Sequence, residues 1–99
     1  MQNAKPLTNK ELAFFCEQMA IITKAGISVL EAVAIMQEGA SDEDTTILTE
    51  IEDDMKQNGN LAHAVAKTKV FLNYCVQMIS IGETTGNLDT VLKDLADYY

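Results

Sequence analysis

Apolar residues recur along this chain at intervals of three and four, in six successive stretches. Leu12, Phe15, Cys16, Met19 and Ile22 form the first stripe, and Leu30, Val33, Ala34 and Met36 the second. Ile47, Leu48, Ile51 and Met55 make a third, and Leu61, Ala64 and Val65 a short fourth. Leu72, Cys75, Val76, Ile79 and Gly82 give a fifth, and Leu88, Val91, Leu92 and Leu95 a sixth. No stretch reads as a strand. The pattern predicts an all-α fold, a compact bundle of about six short helices with short connections.

Polar punctuation supports these boundaries. Thr8 followed by Glu11 reads as a capping box, and Ser28 followed by Glu31 as a second. Gly26 ends the first helix, and Ser41 or Asp42 starts the third, whose acidic opening suits the positive end of the helix dipole. Gly59-Asn60-Leu61 and Gly86-Asn87-Leu88 share one corner chemistry, Gly to stop and Asn to restart. Residues 67–70 read as a basic connector, after which Phe71 and Leu72 re-enter the core. Residues 1–8 are assigned to an N-terminal tail and residues 9–99 to a single domain.

The stretch from Ile81 to Asp89 organises the rest. Gly82 inside a helix costs roughly 1 kcal/mol against Ala, which a close helix–helix approach would offset. Gly86 supplies the left-handed cap, and Asn87 is expected to accept from the first free amides of the helix that begins at Leu88. Glu83 projects beside the Val76 and Ile79 side of its helix, where an unpaired carboxylate would be expensive. Either the free amides of a neighbouring helix satisfy it, or it is a ligand or subunit-contact residue; the first is preferred.

Two helices are apolar on a second side. Phe14, Ile21 and Ala25 lie roughly opposite the first helix's main stripe, and Tyr74, Met78 and Ile81 form a second stripe on the fifth. Such a helix either lies centrally in a bundle or presents a self-association surface, and for the first helix the central position is preferred. Two among six suggest apolar surface left over, so these residues form a candidate interface and a homodimer is expected.

Composition narrows the function. A net charge of −8 in 99 residues argues against nucleic acid and against adhesion to anionic lipid, and suits a basic partner. No apolar run approaches the roughly 20 residues of a membrane span, and no secretory signal opens the chain, so this piece is expected to be soluble. Cys16 and Cys75 have no CxxC context and His63 is the lone histidine, so zinc is not expected and the cysteines read as reduced core thiols. His63 has no nucleophile at a recognisable spacing, and Gly82 and Gly86 lack the strand and Lys of a phosphate loop. Glu50, Asp53 and Asp54 share a helix face that a hard cation could bridge, with Glu83 a further weak metal candidate. A solvated acidic face is the preferred reading. No cofactor and no enzymatic activity are expected.

The residues Ile81-Gly82-Glu83-Thr84-Thr85-Gly86-Asn87-Leu88-Asp89, then Val91-Leu92 and Leu95 to Tyr99, resemble the end of the F domain of type II secretion systems. The corner from Thr23 to Ala32 resembles the same domain more loosely. That family comprises the polytopic inner-membrane platform proteins of type II secretion and type IV pilus machines. The resemblance implies a non-enzymatic scaffold on the cytoplasmic side of the bacterial inner membrane. It would link the assembly ATPase and other inner-membrane components to pilin or pseudopilin polymerisation. It also implies one of two domain copies, more in keeping with the first, cut before a membrane helix, and a tendency to oligomerise. Rival readings are a free-standing acidic helical adaptor for a basic partner and a cation-binding helical module.

Overall fold

A computed structural model describes residues 5–99; of the tail read as residues 1–8, positions 1–4 lie outside the described residues. The described residues form six α-helices and no strand: α1 Asn9–Lys24, α2 Val29–Gln37, α3 Asp42–Asn58, α4 Leu61–Thr68, α5 Asn73–Thr85 and α6 Leu88–Tyr98. Each helix packs on the next in sequence, and α1 lies along α6, which closes the series into a ring. The predicted stripes meet inside it, with Leu12, Met19, Ile51, Leu61, Ile79 and Leu92 fully buried. Phe15 and Phe71 meet edge to face across the ring, centroids 4.9 Å apart.

The helix starts follow the sequence with instructive departures. The Thr8 hydroxyl accepts from the Glu11 amide at 3.1 Å, while the Thr8 amide donates to Glu11 Oε1 at 2.8 Å, a complete capping box. At Ser28 only half the box forms. Its hydroxyl accepts from the Glu31 amide at 3.2 Å, but the Glu31 carboxylate takes the Ser28 hydroxyl, not the backbone amide. Ser41, not Asp42, caps α3. The segment read as a basic connector is partly helix: α4 runs to Thr68, and the turn is made by Lys69 at φ 64°. Leu72 is the N-cap of α5 and 39% exposed, and the chain re-enters the core there through Val70 and Phe71. Ala34 also faces out, because Ala32 beside Val33 occupies the inner face of α2. Leu7 is half-buried against the core and its amide donates to the Val70 carbonyl at 2.8 Å, so the described end of the tail docks on the bundle.

The α5–α6 corner depends on two glycines for different reasons. A Cβ at Gly82 would stand 3.1 Å from the Leu88 Cα and 3.1 Å from the Val91 side chain, so the two helices touch through backbone. Gly86 has open space around it but sits at φ 70°, the left-handed region that side chains resist. The Asn87 amide then closes onto the Gly82 carbonyl at 2.8 Å. This corrects the expectation for Asn87: its side chain makes no cap hydrogen bond. Its ψ of 30° departs from the extended conformation of an N-cap, whereas Asn60, at ψ 147°, has it and accepts from the His63 amide at 2.7 Å. The two Gly-Asn-Leu corners share letters and differ in mechanism.

Gly82→Ala is therefore expected to destabilise by roughly 1–3 kcal/mol through overlap with α6. Gly86→Ala should cost roughly 1–2 kcal/mol through backbone strain, and Gly86→Asn less, since Asn tolerates this conformation. Urea denaturation midpoints for the three variants check the order; midpoints equal to the parent's would show that the corner is not close-packed.

Candidate functional site

Glu83 sits one residue after the close contact, on the last turns of α5, and its side chain reaches the start of α4. Oε2 accepts from the Leu61 amide at 2.6 Å and Oε1 from the Ala62 amide at 3.0 Å. With Asn60 taking the His63 amide, the first three amides of α4 all have acceptors. The preferred reading of Glu83, satisfied by a neighbouring helix, is what the geometry gives.

Asp54 departs from its reading as part of a solvated face. It is 3% exposed, tucked between α3 and α4, because it lies three residues after Ile51 and next to Met55 on the inward stripe. Oδ2 is 2.6 Å from His63 Nδ1, Oδ1 accepts from Asn58 at 2.9 Å, and Lys67 Nζ stands 3.7 Å away. The His63 hydrogen bond, aided by Asn58 and Lys67, outweighs burial and holds the Asp54 carboxyl below its ordinary 3.8. This cluster was legible in part, since position 54 falls on the Ile51–Met55 stripe; its partner at position 63 lies across a corner that spacing alone does not fold.

The four weak metal candidates do not converge. Glu50, Asp53 and Asp54 border one shallow hollow of about 290 Å³, into which Lys67 also reaches, while Glu83 is engaged at the start of α4. No group of three or more His, Cys, Asp or Glu side chains is gathered for a metal among the described residues.

Cys16 and Cys75 are free, fully buried and adjacent across α1 and α5, with Sγ atoms 4.0 Å apart. Hydrogen bonding to Cys75 and burial both push the Cys16 thiol up. Neighbouring Tyr99 has a buried hydroxyl with no partner among the described residues, and burial pushes it up to about 12.

Apart from Met78, which packs half-buried against the core, the second apolar stripes lie outside it. Phe14 is 65% exposed, Ile21 57% and Ile81 52%; Ala25 is exposed and Met78 half-buried. The central-position reading of α1 is thereby corrected: the ring buries only the Leu12–Met19 side of that helix. Tyr74 is partly covered by Tyr98, with ring centroids 4.9 Å apart. Gly26 closes α1 on this side at φ 93°.

Comparison with known proteins gives one consistent result. The family described as type II secretion system (T2SS), protein F, matches residues 15–99. The type IV pilus assembly protein PilC of Thermus thermophilus is 32% identical over 90 residues, 90% of this chain and 22% of that protein. PilC of Myxococcus xanthus is 33% identical over 91 residues, covering 89% and 21%. The type II secretion system protein F of Xanthomonas campestris is 29% identical over 92 residues, covering 90% and 22%. The chain thus spans about a fifth of the length of these relatives. Among the described residues, no helix is long and apolar enough to cross a membrane.

Glu83→Ala is expected to cost roughly 2–3 kcal/mol by orphaning two amides, with Glu83→Gln costing less, as read from chemical denaturation. Asp54 sets a pH dependence. Its folded pKa is depressed, so its stabilisation is full above the unfolded value of 3.8 and is lost as pH falls through the lower, folded pKa. Thermal melts from pH 7 down to about pH 2 should therefore show a smaller acid-side decline in Asp54→Asn than in the parent. Parallel declines would deny Asp54 that role.

Proposed function

The chain belongs to the type II secretion system protein F family, the platform proteins of type II secretion and type IV pilus systems, and we propose that it acts there as a non-enzymatic cytoplasmic scaffold domain. The family match over residues 15–99 carries this reading. The relatives are named for pilus assembly and for secretion, and this chain corresponds to about a fifth of them. We place it as one of two similar domains on the cytoplasmic side of the inner membrane, the first copy, followed by a membrane helix. Its role is to hold the assembly ATPase against the other inner-membrane components while pilin or pseudopilin subunits polymerise. An exposed surface with large apolar residues and a net charge of −8 suits protein contacts.

The gene beyond Tyr99 tests the placement. Membrane-spanning segments followed by a second similar domain are expected, whereas an immediate stop codon would favour the free-standing acidic adaptor. Binding of the purified chain to the assembly ATPase of the same organism, followed by interferometry, tests the partner; no saturable response would remove the ATPase from this domain's contacts.

Self-association belongs to the same proposal. The stripes Phe14/Ile21 and Tyr74/Met78/Ile81 offer apolar surface that a two-fold contact would bury on both copies. Without the rest of the protein to raise its local concentration, the isolated domain should dimerise weakly. Sedimentation equilibrium should show a concentration-dependent monomer–dimer mixture, shifted to monomer by Ile21→Asp or Met78→Asp. A strictly monomeric chain up to about millimolar would mean an association weaker than roughly 4 kcal/mol and would retire the dimer.

A further inference from the structure

A groove of about 650 Å³ runs between α1 and the α2–α3 corner, away from both carboxylate clusters. Buried Phe15, Leu48 and Phe71 make its floor, and half-buried Ile22, Met36 and Ile47 its sides. Two of the chain's exposed large apolar side chains stand on its walls, Phe14 at 65% and Ile35 at 42%. An open trough floored by the core and lined by aromatic and aliphatic groups has the form of a peptide-binding cleft rather than of a packing defect.

The edges of the groove select the occupant. Glu11, Glu38 and Asp44 stand around it against a single cation, Lys10. Among the described residues none of those three carboxylates is in a salt bridge, and the whole chain carries −8. The α1 wall, from Lys10 to Ile22, is roughly 18 Å long at 1.5 Å per residue, the length of three to four helical turns. Apolar anchors at i, i+3, i+4 and i+7 would face the floor while flanking cations met the acidic rim.

We propose that this groove is a docking site for a basic amphipathic α-helix of a partner protein. The inference rests on the shape and charge of the groove and stands apart from the secretion reading. A second copy of this chain fits the groove itself poorly, since an acidic surface would meet the acidic rim; of the residues in the dimer stripes only Phe14 stands on its wall.

The probe is a fluorescein-labelled synthetic helix of about 14 residues, Leu at helical spacing on one face and Lys on the other, with a Glu-for-Lys counterpart as control. Fluorescence anisotropy should show saturable binding of the basic peptide that weakens as salt rises, and none of the acidic one. Ile35→Asp and Phe14→Asp should each weaken binding about tenfold or more. Glu38→Lys with Asp44→Lys should weaken it and flatten its salt dependence. Ile21→Asp and Ile81→Asp, outside the groove, should leave it unchanged, and circular dichroism confirms that every variant is folded. Amide chemical-shift changes on the parent should map to the groove. Equal binding of both peptides, no saturation up to about millimolar, or equal losses in Ile81→Asp and Ile35→Asp would overturn the proposal. So would a dimer that Ile35→Asp dissociates while the peptide fails to bind, which would give the groove to a second copy.

Discussion

The bond between the Glu83 carboxylate and the open end of α4 is the constraint on which this fold turns. An eight-residue helix is far below the length at which helices stand alone, so α4 needs its ends and sides held by others. Glu83 brings a full negative charge to the positive end of the helix and satisfies two amides with its two oxygens. The residue before it, Gly82, is where α5 meets α6 through backbone. One turn of α5 thus sets its distance from α6 and its rotation toward α4 together. A shift of α5 along its axis would open one contact and crowd the other.

From the other side α4 is held by Asp54. A buried carboxylate is costly unless its lone pairs are used, and here Asn58, His63 and Lys67 surround it. α4 carries no acidic residue of its own and contributes His63 and Lys67, which makes it a basic element in an acidic chain. The acidic α3 and α5, whose single charged residue is Glu83, each extend a carboxylate to it. The excess acid of α3 is relieved locally, at a helix whose side chains and N-terminal dipole both favour anions.

Much of this was readable before folding, and the misreadings have physical causes. Helix number, the Thr8 box, the left-handed Gly86 and the pairing of Glu83 with helix amides all follow from local spacing plus the cost of burying a charge. Asn87 departs from the expected cap because its geometry depends on how tightly α6 lies against α5. With Gly82 at the contact, the chain turns too sharply for the extended N-cap geometry that Asn60 adopts. Counting acids places Asp54 in solvent, whereas its position between Ile51 and Met55 on the inward stripe buries it. The exposure of Phe14 and Ile21 runs against the preferred central position, because a double-faced stripe does not say how many neighbours its helix will have. In this ring α1 packs along α6 and α2 and meets Phe71 and Cys75, all on its inner side.

The clasps and the exposed apolar surface divide the molecule between them. The α3–α4–α5 side is fixed by directional, charged hydrogen bonds, each with a defined partner. At the α2–α3 corner the polar ties are Gln37 to Glu52 at 2.8 Å and Thr49 to Gln37 at 3.3 Å, and across the groove α1 faces this corner through apolar side chains. Apolar contacts lack directionality, so that side can accommodate a ligand by small side-chain movements without breaking an ion pair. One part of the molecule keeps its shape and another stays open. Here the first lies where Glu83 and Asp54 converge on α4, and the second where Phe14 and Ile35 face an open trough.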